Sequence, residues 1–208
     1  MMAFGAPFPG GGVVKRAFLA AASVVAVQPP HTFSGLAFGA ESPDRTLVAA
    51  IAGGAIGQTV TAVTIGGTAA TQVAGPANNG FSHASIWAAL VPTGTSGAVT
   101  ISATGPSWDF ALGLYSVTGN GLFTPAAAAT GTSAASLTVP AGSVVIAAVF
   151  SSSGSLPAAW SGLTDDVDLS LINPKASMAS AQIQGAQVLS VGVAMGGAQA
   201  LAVAAWGP

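Results

Sequence analysis

Between Glu41 and Ile101 the chain repeats one pattern: a short run rich in Val, Ile, Thr or Trp, closed by Gly, Pro or Asn. The runs are Arg45-Thr-Leu-Val-Ala-Ala-Ile-Ala52, Thr59-Val-Thr-Ala-Val-Thr-Ile65, Ser85-Ile-Trp-Ala-Ala-Leu-Val91 and Ala98-Val-Thr-Ile101. Runs this short are below the length of a useful helix, and their β-branched and aromatic residues fit a pleated, half-buried surface. The stretch reads as a β-meander with tight turns. Gly66-Gly67 joins two of the runs as a hairpin turn, since glycine accepts the positive φ such turns require.

The rest of the chain extends the pattern. His31–Phe38 alternates as a first strand. Trp108–Val117 places Trp108, Phe110, Leu112 and Leu114 on one face and Asp109, Ala111, Gly113 and Tyr115 on the other. Thr46–Ala52 and Ser143–Phe150 lack alternation and read as strands covered on both faces. Gly75–Gly80 reads as a loop, and the Ala-rich stretch between Gly119 and Ser136 as a crossover between sheets. Three closing strands, 176–183, 186–195 and 198–205, complete the expectation: an all-β, antiparallel sandwich of jelly-roll type over residues 31–208.

Charge decides how such a sandwich meets its surroundings. Charged residues are 5% of the 208-residue chain, four basic and six acidic, against about 25% in an average domain. A surface so poor in ions points to burial in an assembly, an oligomer or a lattice. The net charge of −2 and the single basic pair Lys15-Arg16 argue against nucleic acid, which is held by several Lys and Arg contacts. The absence of cysteine excludes disulfides and thiolate metal sites.

Residues 1–30 read as an arm. Ala6-Pro-Phe-Pro9 and Gly10-Gly-Gly12 prevent regular helix, and Gln28-Pro29-Pro30 marks the boundary to the body. Val13–Val27 is long enough to add a strand or a short helix to a neighbouring subunit, and its residue types leave the two open. Val14, Phe18, Leu19, Val24 and Val25 are the expected anchors. The two charges followed by an apolar run also resemble a signal peptide, with a mature chain starting near Gln28. The run is shorter than the roughly 20 residues a membrane span needs, so no membrane partner is expected.

Chemistry is sparse. There is no phosphate-cradling glycine loop, zinc-protease helix or serine elbow. His83, without an acidic neighbour in sequence, reads as a partly exposed polar residue. Asp44 and Arg45 read as a rim ion pair on a charged turn. Asp165, Asp166 and Asp168 form an acidic cluster whose oxygens suit Ca²⁺, although the EF-hand glycine and distal glutamate are missing; a solvated turn is the simpler reading. No catalytic residue, cofactor or firm metal site is assigned, and the chain is expected not to be an enzyme.

Five phrases taken in order carry a resemblance: Phe33-Ser-Gly-Leu-Ala-Phe-Gly39, Ser42-Pro-Asp-Arg45, Val63-Thr-Ile-Gly-Gly67, Ile86-Trp87 leading to Val91-Pro-Thr-Gly94, and Trp160-Ser-Gly-Leu-Thr-Asp165. Residues 31–208 resemble uncharacterised β-rich structural proteins of tailed bacteriophages and prophages of alphaproteobacteria. The resemblance implies a virion component, a capsid decoration or a head-fibre or tail appendage subunit, partnered by other virion proteins and by copies of itself. Two rivals make different demands. A glycan- or receptor-binding module at a fibre tip needs an exposed aromatic, with Trp108 or Trp160 as candidates; a secreted bacterial surface protein needs the cleavage near Gln28.

Overall fold

Two β-sandwiches lie back to back, each built from its own half of the chain. The computed structural model describes residues 13–54, 59–105, 108–119, 126–130 and 132–208, and among these there is no helix. The first half contributes β1 (Lys15–Val27), β2 (His31–Ala37), β3 (Thr46–Gly54), β4 (Val60–Ile65), β5 (Thr68–Ala69), β6 (Thr71–Asn79), β7 (Ser82–Leu90), β8 (Ser96–Ala103) and β9 (Trp108–Thr118). The second contributes β10 (Ala126–Thr130), β11 (Ala134–Val139), β12 (Val144–Ser151), β13 (Ala159–Ser161), β14 (Thr164–Ser170), β15 (Lys175–Gln182), β16 (Gln187–Ala194) and β17 (Gln199–Trp206).

The halves repeat one plan. The inner sheet of the first has the order β1-β9-β3-β7-β6 and faces an outer sheet β2-β8-β4-β5; the second has β10-β17-β12-β15-β14 facing β11-β16-β13. Strand by strand, β1 matches β10, β3 matches β12, β7 matches β15 and β9 matches β17. All pairings are antiparallel. The inner sheets stack with β3 against β12, β7 against β17, β6 against β10 and β1 against β14. That reversed order is what a twofold axis along the strands produces, so the chain is an internal duplication folded as its own pseudo-dimer.

Four layers make three cores, and they explain the strands without alternation. In β3, Leu47, Ala49 and Ile51 face the outer sheet, while Val48, Ala50 and Ala52 face the other sandwich; in β12, Val145, Ala147 and Val149 face outward, and Ile146, Ala148 and Phe150 face the seam. Strands covered on both sides read as continuous apolar runs. The seam is lined largely by alanine, including Ala50, Ala84, Ala111, Ala148, Ala176, Ala202 and Ala204. Close approach is required there: a Cβ on Gly113 would lie 2.9 Å from Met178 Cγ across the seam. The outer sheets alternate, with Leu137, Val139, Leu189 and Val191 inside and Ser136, Thr138 and Ser190 exposed.

The cover expected on both faces of Thr46–Ala52 and Ser143–Phe150 is therefore supplied within the chain. The accessible surface, 8826 Å², is close to the roughly 8,700 Å² of a compact monomer of this mass. Three further expectations change. Lys15–Val27 is neither helix nor arm: it pairs with β9 as the edge of the inner sheet, because its alternate side chains fill two cores at once. The body thus starts ahead of His31, and the Pro- and Gly-rich opening of the expected arm lies outside the described residues. Gly75-Pro76, expected in a loop, runs within β6, an edge strand with register shifts on either side of Ala74; an edge tolerates the missing N–H of proline. Part of the Ala-rich crossover is β10, paired with β17.

Candidate functional site

The few charged groups fasten the fold. Arg45 is fully buried without a carboxylate partner. Its Nε donates to Val91 O (2.7 Å), Nη1 to the carbonyls of Phe38, Gly39 and Ala40 (3.1, 3.2 and 2.9 Å), and Nη2 to Thr93 O and Gly94 O (2.8 and 2.7 Å). A planar five-donor fork suits carbonyls converging from two loops. The expected rim pair with Asp44 does not form, because Arg45 turns inward and Asp44 accepts instead from Ser42 Oγ and Gly119 N. Those bonds, the Ser42 hydroxyl first, hold the Asp44 carboxyl below its usual range. Glu41 and Asp109 likewise accept from the distant amides of Gly94 and Ala26.

At the opposite end, β6 and β7 assemble the group most like reactive chemistry. Ser85 Oγ lies 3.1 Å from His83 Nε2, and His83 Nδ1 lies 2.9 Å from Asn78 Oδ1. Burial pushes His83 down to about 4, so the neutral ring donates to Asn78 and accepts from the Ser85 hydroxyl. That order is the one used to activate a serine nucleophile. Access decides against it. Ser85 and His83 are both fully buried, Trp87 Nε1 donates to Ser85 Oγ at 3.0 Å, and Trp108 stands edge-on to the imidazole at 5.5 Å. No acyl group reaches the hydroxyl through these rings, and the network satisfies polar atoms inside a core. His83 is thus not the partly exposed residue its sequence position implied. The signal was present: positions 83, 85 and 87 share one face of a strand that also carries Trp87.

The acidic cluster is split by its strand. Asp165 accepts from Ser177 Oγ at 3.1 Å on the outer-sheet side, where Trp160 Nε1 also donates to Ser177 Oγ at 2.8 Å. Asp166 turns to the seam. It accepts from Tyr115 Oη at 3.0 Å and from Ser180 Oγ, and pairs with Arg16 at 3.8 Å. Asp168 accepts from Ala158 N at 3.1 Å. Partial burial, then the Asp168 charge, raises the Asp165 carboxyl; burial, then the Asp166 charge, raises the Tyr115 phenol. Neighbouring strand residues point to opposite faces, so the three carboxylates do not converge on one ion. Among the described residues no group of three His, Cys, Asp or Glu is placed to hold a metal.

The expected anchors are engaged inside the chain. Val14 is buried in the seam core, with Phe18 and Val25 packed against it, and Leu19 and Val24 pack into the core between the first inner and outer sheets. Phe18 meets the Tyr115 ring edge-on at 5.2 Å. Of the aromatic candidates for a fibre-tip site, Trp108 is 1% exposed and Trp160 is half-buried. Each outer sheet turns one face of alternate, exposed or half-exposed residues outward. On the first, Thr32, Thr100 and Thr64 form a row across β2, β8 and β4; on the second, a shallow groove is lined by Ala134, Ser136, Ser161, Ser190 and Gly192. No protein-family model, curated protein or solved structure matches this chain.

Proposed function

We propose that this protein is a non-enzymatic structural subunit of a bacteriophage virion, a capsid decoration or a head-fibre or appendage component. The observation that supports it is the duplicated stack: one chain presents two neutral Ser-, Thr- and Ala-bearing sheets on opposite sides of a rigid four-layer body. Such a body is a spacer or clasp between protein surfaces. In each half the order of the inner strands, β1-β9-β3-β7 and β10-β17-β12-β15, with β2-β8-β4 and β11-β16-β13 opposite, also supports the jelly-roll reading, an architecture that serves capsid and lectin domains. Charged side chains spent on loop carbonyls and strand amides suit a part selected for rigidity.

Docking runs through the outer sheets and loop ends rather than through Lys15–Val27, which is committed to the first inner sheet. The same commitment weighs against cleavage near Gln28, since removing β1 uncovers β9 and both adjoining cores. The test is peptide mass spectrometry of purified particles from the organism that encodes the chain. Peptides at a fixed ratio to the major capsid protein are expected; particles that lack them overturn the proposal.

A further inference from the structure

The first sandwich is closed differently at its two ends. At one, the six carbonyl contacts of Arg45 tie the β2–β3 loop to the β7–β8 loop. The backbone adds Phe38 N to Thr95 O, Ser42 N to Pro92 O and Val91 N to Arg45 O, at 2.8, 3.2 and 3.0 Å. At the other end, where Gly54 of β3 pairs with Ser82 of β7, rings carry the closure. Trp108 lies flat on Phe110 at 5.1 Å and edge-on to His83 at 5.5 Å, with Val60 of the outer sheet in the same core.

His83 is fully buried there among groups that offer it no counter-charge. Its ring nitrogens meet Asn78 Oδ1 and Ser85 Oγ, and Gly53 stands opposite it on β3. Among the described residues, the other ionisable side chains at this end of the sandwich are Asp109 and His31. Asp109 of β9 turns to the opposite face of its sheet, where it accepts from Ala26 N; His31 of β2 is half-buried, its ring edge-on to Phe33 at 4.7 Å. Between Gly53 and Val60, and between Thr104 and Trp108, the sequence has none. A second proton on His83 therefore makes an unpaired charge inside an apolar core, which only water relieves.

The duplication supplies the contrast. β3 and β12 occupy matching places, so His83, opposite Gly53, corresponds to Lys175, opposite Ser151. Lys175 reaches the surface, donating to Ser170 Oγ at 2.8 Å and Ile172 O at 3.0 Å. No histidine occurs in the second half.

We infer that the first sandwich is a jaw opened by acid: protonation of His83 parts its outer sheet from its inner sheet at the Trp108 end, while the Arg45 end and the second sandwich stay closed. Part of a fold can open alone where the pieces have separate cores, and the cores here are separate. Burial pushes the closed ring down to about 4, whereas a wetted ring titrates near its ordinary 6.5. The open form thus binds the proton more tightly and gains as pH falls. Between about pH 7.5 and about pH 5 its population rises about 30-fold. The inference does not depend on the virion reading.

In a chain without cysteine, one added thiol reports on each place. Val60→Cys sits in the core at the His83 end, Val91→Cys in the same core beside Arg45, and Val193→Cys in the outer core of the second sandwich; all three positions are buried. Labelling by a dithiodipyridine is measured on each full-length variant, relative to the unfolded chain at the same pH. Over that pH range Val60→Cys is expected to label about 30-fold faster, with Val91→Cys and Val193→Cys unchanged. Acceleration at all three places, or at none, overturns the inference. In the Val60→Cys chain, His83→Gln should abolish the acceleration and His31→Gln should leave it. Acceleration that survives His83→Gln, or is lost with His31→Gln, overturns the inference too. Should His83→Gln not fold, the pattern over the three places decides together with His31→Gln.

Discussion

Tyr115 donates its phenolic hydrogen to Asp166 at 3.0 Å, joining a strand of the first sandwich to a strand of the second across an apolar, alanine-rich seam. Asp166 is also the acceptor for Ser180 Oγ and the partner of Arg16, so removing it orphans several groups at once. Asp166→Ala is expected to cost about 2 kcal/mol, the penalty for leaving part-buried donors unsatisfied. Tyr115→Phe removes one of those donors along with its acceptor's bond. A double-mutant cycle in urea should therefore show a coupling of about 1 kcal/mol between the two positions; additive effects would dissociate the hydroxyl from the carboxylate.

Arg45 carries a heavier load than any other charged residue. Its six carbonyl contacts fix the β2–β3 and β7–β8 loops together at one end of the first sandwich. Arg45→Lys keeps the charge but offers three donors from a single point, which cannot serve both loops. A loss of about 2 kcal/mol is expected for Arg45→Lys and of about 4 kcal/mol for Arg45→Ala, read from denaturant midpoints at unchanged slope. A tolerated Arg45→Lys would mean that water, rather than the guanidinium, satisfies those carbonyls.

Much of this architecture is legible in the residues, and the unread part has a common physical cause. Strand positions and the two faces of β9 follow from side-chain type and alternation, which act locally. The duplication is written in Leu47-Val-Ala-Ala-Ile51 and Val145-Ile-Ala-Ala-Val149, which occupy matching strands, yet Val, Ile, Leu and Ala are also what any doubly covered strand demands. The continuous apolar runs of β3 and β12 demand cover on both faces; the second sandwich supplies it, and composition alone does not distinguish a neighbour from another half of the same chain. Lys15–Val27 looked like an arm because prolines bracket it, whereas its place in the sheet depends on β9, some ninety residues away. Arg45 and His83 were misplaced for the same reason: their partners come together only in three dimensions.

Acid should weaken the fold through His83. Its partners Asn78, Ser85 and Trp108 are uncharged, and burial lowers it from 6.5 to about 4. In the unfolded chain it titrates near 6.5, so between those values the unfolded state binds more protons and stability rises with pH. The contribution is fully present above about pH 6.5, is lost as pH falls toward 4, and amounts to about 3 kcal/mol. His83→Gln should flatten that part of the stability–pH curve while lowering stability at neutral pH. A slope that persists in the variant would place the titrating group elsewhere.

The hairpin between β14 and β15 holds Ile172 at φ 56° with the side chain 76% exposed. The matching hairpin of the first sandwich, between β6 and β7, has Gly80 at φ 62°. A β-branched residue in the left-handed region is strained, at a cost of about 1–3 kcal/mol, and this one recovers little from burial. Lys175 Nζ, donating to Ile172 O at 3.0 Å, holds the turn in place. Relief of the strain outweighs the added freedom glycine gives the unfolded chain, about 0.5–1 kcal/mol. Ile172→Gly is therefore expected to raise stability by about 1 kcal/mol, read as a higher urea midpoint, with Ile172→Asn intermediate between the two. A lower midpoint for Ile172→Gly would show that the isoleucine side chain contributes contacts that its exposure conceals.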